Sequence, residues 1–147
     1  MTALSIPDPG RIGGDWHFVA ALCCKNSRIQ SAGLRGTLID TNLFFGNRMI
    51  IDKADILRKR GIDLPKIQVF CAQHPRAVAD LLYHSLSQNI FPDHIILDGG
   101  IFEEEIEFAQ LEQLMAFMAP SLKPSQHEKL LRWKNKHFYP LKDGIAA

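Results

Sequence analysis

The chemistry of this chain centres on one cysteine. The segment Val69-Phe70-Cys71-Ala72-Gln73-His74-Pro75-Arg76 is followed by a helical pattern and then by Ile95-Ile96-Leu97-Asp98-Gly99-Gly100. Cys71 falls where a β-rich run ends and a helix begins, a position where open α/β sheets place their functional groups. A thiol there faces backbone N–H groups and the positive end of a helix macrodipole, which favours the thiolate as nucleophile. Arg76 adds a fixed positive charge that suits an anionic donor or fixes the connecting loop. Four residues separate Cys71 from Arg76.

Other groupings carry weaker chemistry. Cys71 and His74 have the spacing of half a zinc site, but no second pair of comparable spacing accompanies them, so no metal is expected. His74 is also an acid–base candidate beside the thiol. Asp40 and Asp98 both stand at the ends of expected strands, Asp98 as a turn former before two glycines. Cys23 and Cys24 are adjacent, so on a strand their side chains point to opposite faces, which suits core packing better than redox pairing.

The elements that must position these residues are legible in part. Residues 1–14 hold prolines and glycines and read as a flexible lead-in. Trp16 to Cys24 is a compact apolar run, strand or short helix. Thr37 to Asp40 and Met49 to Ile51 read as short strands, and Lys53 to Arg60 as a short helix stopped by Gly61. Ile67 to Cys71 is a strand, Arg76 to Gln88 an amphipathic helix with Pro75 at its start, and His94 to Leu97 the next strand. That order defines a βαβ unit with parallel strands and a right-handed crossover. A helix follows, with Glu103, Glu104 and Glu105 in its first turn and Ile106, Phe108, Leu111, Leu114, Met115 and Met118 on its apolar face. After Pro120 and Pro124, Ser125-Gln126-His127-Glu128 has the pattern of a capping box for a last helix.

The run from Ile67 to Gly100 resembles a rhodanese-like domain. The resemblance lies in a strand ending in cysteine, a loop from Cys71 to Arg76, a helix, and a strand ending in Leu97-Asp98-Gly99-Gly100. Leu38-Ile39-Asp40 is similar to that family's early strand, which ends in an aspartate. The resemblance implies a three-layer α/β fold: a small, mainly parallel sheet over residues 15–122, with a basic C-terminal helix and tail, 123–147, packed on it. It also implies sulfur transfer. Cys71 would carry sulfane sulfur as a persulfide, with Arg76 beside it, and Ala72, Gln73, His74 and Asp40 would line the substrate loop. Residues 72–76 would supply the N–H donors that a persulfide anion needs. No cofactor is implied.

A second reading comes from what the loop lacks. It has no mid-loop glycine, Pro75 removes one N–H, and no arginine follows Asp40. A non-catalytic protein-interaction module fits those departures. The expected partner is therefore a small sulfur donor or another protein.

Composition bounds the remaining choices. With 147 residues, 46% hydrophobic and 22% charged, the chain has the make-up of one globular domain. A net charge of +1 argues against wholesale polyanion binding. Six basic residues between Lys123 and Lys142, interleaved with Trp133, His137, Phe138 and Tyr139, leave nucleic-acid contact as a lesser reading. No apolar run reaches the roughly 20 residues that span a bilayer, so no membrane partner is expected. Three cysteines, an odd number, suit a reducing compartment, and a cytoplasmic location follows by default.

Overall fold

The computed structural model describes residues 39–59, 61–64, 68–97, 102 and 104–145. The lead-in, the run from Trp16 to Cys24 and the turn from Asp98 to Gly100 lie outside the described residues. The elements are α1 (Asn42–Phe45), β1 (Ile50–Asp52), α2 (Ala54–Lys59), β2 (Phe70–Ala72), α3 (His74–Ser87) and α4 (Glu105–Met118). A 3-10 turn (Ala119–Ser121) leads to α5 (Pro124–Trp133), a π-helical turn (Lys134–Phe138) and α6 (Tyr139–Ile145).

The expected three-layer α/β fold with a mainly parallel sheet is overturned. Helices dominate the described residues, and their one sheet is a two-stranded antiparallel pair, with Ile50 opposite Ala72, Ile51 opposite Cys71 and Asp52 opposite Phe70. The reason lies in residues 95–97. They alternate as a strand would, with Ile95 and Leu97 buried and Ile96 60% exposed. Yet their partners are helical. The Ile95 carbonyl accepts the indole N–H of Trp133 at 2.8 Å, and the two buried side chains enter the helical core. An extended segment has the same period whether a strand or a helix lies beside it. The βαβ unit is therefore absent here, and so is the strand expected at Thr37 to Asp40 as far as its described residues, Ile39 and Asp40, are concerned.

Several local expectations hold. β1 forms, and α2 stops just ahead of Gly61, whose φ of +82° is the left-handed conformation that glycine adopts without strain. α3 starts two residues earlier than expected, with Pro75 in its first turn, where a missing N–H breaks no helical bond.

Apolar spacing then assembles the bundle. α3 contributes Val78, Ala79, Leu82 and Leu86, and α4 contributes Phe108, Leu111, Leu114, Met115 and Met118, all in one core. Among the described residues the two helices form the most extensive contact, α5 lies on α3, and α6 returns to α4. Leu130, Trp133 and Phe138 join the same core, so the C-terminal segment is part of the bundle. Phe108 stands between Phe102 and Phe138, with ring centroids 5.1 and 5.6 Å away. Burying each such ring is worth roughly 1.5–3 kcal/mol.

The chain from Pro124 to Ile145 runs on without leaving helical conformation, although Pro140 lies within it. Proline has no N–H for the carbonyl four residues back, and its ring crowds that carbonyl. The helix widens just before it, Tyr139 N–H bonding the Lys134 carbonyl five residues back, which is a common way for a helix to absorb such a residue. α5 itself starts at Pro124 with Gln126 as the capping partner, its Oε1 accepting the Lys123 N–H at 2.8 Å. The expected box at Ser125 and Glu128 is thus displaced by two residues.

Candidate functional site

Cys71 sits in the middle of β2, not in a curled loop. Gln73 N–H bonds the Met49 carbonyl at 2.8 Å, and Lys53 N–H bonds the Val69 carbonyl at 2.9 Å. With alternate pairs hydrogen-bonded in an antiparallel ladder, Cys71 and Ile51 form the pair between them. Only Gln73 separates strand from helix, and His74 and Pro75 already belong to α3. The peptide N–H groups of residues 71 and 73 are therefore engaged across the ladder, with Ile51 and Met49, instead of converging on the sulfur.

The surroundings of the thiol are apolar. Cys71 is half-buried and packs against Leu57, as do Ile56, Ile62, Leu64 and Val69. Burial raises its pKa above the ordinary thiol value; the Lys53 ammonium opposes that rise and the Asp52 carboxylate adds to it. The thiolate is thus disfavoured, opposite to what a helix N-terminus alone leads one to expect.

Arg76 forms a different centre. It is 1% exposed, and all five of its N–H donors are engaged. Nε–H donates to Asp80 Oδ1 at 2.9 Å, one turn along α3. Nη1 donates to the carbonyls of Gly46 and Arg48 at 2.9 and 3.0 Å. Nη2 donates to Thr41 Oγ1 at 3.2 Å and Asn42 Oδ1 at 3.0 Å. Thr41 in turn donates to Asp80 Oδ1, and the guanidinium lies 4.8 Å from the Phe45 ring centre. Arg76 thus fastens α1 and the following turn to α3. None of its hydrogen bonds goes to Cys71.

The remaining loop residues have structural surroundings. Asp40 Oδ1 accepts the Asn42 N–H at 2.9 Å and so shapes the turn that opens α1. Ala72 is half-buried opposite Ile50, Gln73 is the N-cap of α3 without a side-chain cap bond, and His74 is buried at 4% exposure. No group of three or more His, Cys, Asp or Glu side chains among the described residues is arranged to hold a metal ion.

The basic C-terminal segment is docked inward. Lys129 bonds the Asn89 carbonyl and side chain, and Arg132 lies over the Phe91 ring at 4.7 Å. Lys134 and Lys142 both face Glu112, at 3.8 and 2.9 Å. Lys136 and His137 meet Asp93 at 2.6 and 2.9 Å. The hydrogen bond from Lys142 holds Glu112 below its ordinary value, and those from Lys136 and His137 do the same for Asp93. Glu112 and Asp93 supply the acidic groups that these basic side chains meet. Five of the six basic residues therefore contact groups of the chain itself, which weakens the nucleic-acid reading.

One surface was missed in the sequence. α4 buries one apolar face and exposes another, bearing Ile106 (56% exposed), Ala109, Ala116 and Phe117 (37% exposed), with Gln113 between them. Ile106, expected in the core, is outside it. The signal lies in the spacing: Glu105, Glu107, Gln110, Glu112 and Gln113 are spread around α4 and leave apolar residues on its outer side as well. Arg48 caps one end of this face, its guanidinium 4.7 Å from the Phe117 ring centre, and Glu104 and Glu105 are exposed at the other.

Comparison with protein-family models, curated proteins and solved structures returns no match. No helix among the described residues is long and apolar enough to cross a membrane.

Proposed function

We propose that this chain is a non-catalytic protein-interaction module, and that α4 carries its binding surface. The observation behind this reading is the second apolar face of α4. Ile106 and Phe117 stand exposed at the two ends of one face of a well-packed helix with exposed Ala109 and Ala116 between them, and contiguous exposed apolar surface of this kind marks partner sites. The rival reading, a persulfide carried on Cys71, lacks support on two counts. The peptide N–H groups of Cys71 and Gln73 are engaged across the ladder, and Arg76 has no donor left for an anion.

A photo-crosslinking amino acid placed at Ala116, in cells that make the chain, tests the proposal. A discrete adduct is expected from position 116, lost on adding Phe117→Glu, and none from the exposed position Glu128 on α5. The proposal fails if no adduct depends on Phe117. The persulfide reading gains if the purified protein converts thiosulfate and cyanide to thiocyanate and Cys71→Ser abolishes that activity.

A further inference from the structure

We infer that the partner of the exposed α4 face is a second copy of this chain, bound antiparallel about a two-fold axis near Gln113. The inference deepens the interaction reading and rests on it.

A two-fold interface must be self-complementary, each patch meeting its own copy. The outer face of α4 has that property when reversed on itself. With the axis near Gln113, Ile106 of one copy meets Phe117 of the other, and Ala109 meets Ala116. The large apolar side chains lie at the two ends, where each end is filled by one isoleucine against one phenylalanine, with the alanines between them. Gln113 falls next to its counterpart, and a carboxamide has both the donor and the acceptor to bond a copy of itself.

Charge selects the same orientation. Exposed Glu104 and Glu105 lie at the N-terminal end of the face, and exposed Arg48 lies at its C-terminal end over Phe117. Antiparallel pairing brings the glutamates of each copy to the arginine of the other and opposes the two helix macrodipoles favourably. Parallel pairing would crowd four carboxylates at one end and two guanidinium groups at the other. α1, which packs on α4, carries Leu43 at 87% exposure and is available to widen the contact. A helix of 14 residues is only about 21 Å long, so the interface belongs to the small, readily reversible class.

Sedimentation analysis of the full chain over a wide concentration range decides the matter. The expected mass rises with concentration from 16.6 kDa towards twice that value. Phe117→Glu and Ile106→Glu, both at solvent-exposed positions, should each hold the mass at that of one chain, with an unchanged circular dichroism spectrum. Glu105→Arg alone and Arg48→Glu alone should each weaken dimerisation at least tenfold, and the double exchange should recover most of it. A protein that stays monomeric throughout, or a dimer indifferent to Phe117→Glu, overturns the inference. The two proposals fail separately. A Phe117-dependent adduct at position 116 with a different protein, from a chain that is monomeric when pure, keeps the interaction module and discards the homodimer.

Discussion

Two polar junctions among the described residues look alike until burial is considered. On the inner side, Arg76 and Asp80 meet at 2.9 Å with Thr41 bonded to both; on the outer side, Lys136 and His137 meet Asp93 at 2.6 and 2.9 Å. The inner pair is almost fully buried, whereas about half of the Lys136 and Asp93 side-chain surface is open to solvent. The carboxyl pKa values move in opposite directions. Burial raises that of Asp80 despite the bonds from Thr41 and Arg76, while the bonds from Lys136 and His137 lower that of Asp93. Separation alone therefore says little about what an ion pair contributes; the solvent around it decides.

The contrast is broken most severely at Arg76. Arg76→Met leaves the Asp80 carboxyl buried without its cation and two backbone carbonyls without donors, and should cost about 3–5 kcal/mol in urea unfolding. Arg76→Lys should not rescue it, because one ammonium has three donors and no planar fork. Full stability in either variant would mean that the inner junction is dispensable.

Next in size is Trp133→Phe, at the anchor beneath the outer junction. It loses the bond to the Ile95 carbonyl and leaves a void, for an expected cost of about 2 kcal/mol by the same measurement. A loss as large as that of Arg76→Met would place the main junction at Trp133 instead.

A subtler effect appears in the pH profile. The raised Asp80 pKa means that the native state holds this proton more tightly than the unfolded chain does. Its linkage term favours folding in acid and is lost as pH climbs from the ordinary value of 3.8 through the raised one. Asp93 has the opposite sign: its term favours folding above 3.8 and is lost as pH falls through its lowered value. Between pH 7 and pH 3, Asp80→Asn should therefore lose stability more steeply on acidification than the parent, and Asp93→Asn less steeply. Urea midpoints across that range check both slopes, and parallel slopes would refute the contrast.

The smallest effect is expected from Lys136→Ala. An exposed ion pair contributes little, and salt screens it further, so the urea midpoint should stay within experimental scatter. A clear loss that persists in 1 M salt would show that the outer junction acts through packing.

How far this was legible in advance follows from the range of each interaction. Pro75 at a helix start, Gly61 at a helix stop and the apolar stripes of α3 and α4 are local, and the spacing of residues announces them. The i, i+4 placement of Arg76 and Asp80 is legible too, but nothing nearby in the chain says that Thr41 and the carbonyls of Gly46 and Arg48 will cover this pair. The expectation of a mainly parallel sheet failed at a similar place. It took the alternation of Ile95, Ile96 and Leu97 for a strand, and the indole of Trp133, 38 residues further on, takes the carbonyl that a strand partner would have used.

Taken alone, the order of residues determined where helices start and stop and which faces are apolar, because those depend on backbone preference and side-chain period over a few positions. Tertiary structure decided which apolar faces are covered, which charges are withdrawn from water and how residues 95–97 are used. Those outcomes depend on segments tens of residues apart competing for the same hydrogen bonds and the same buried surface.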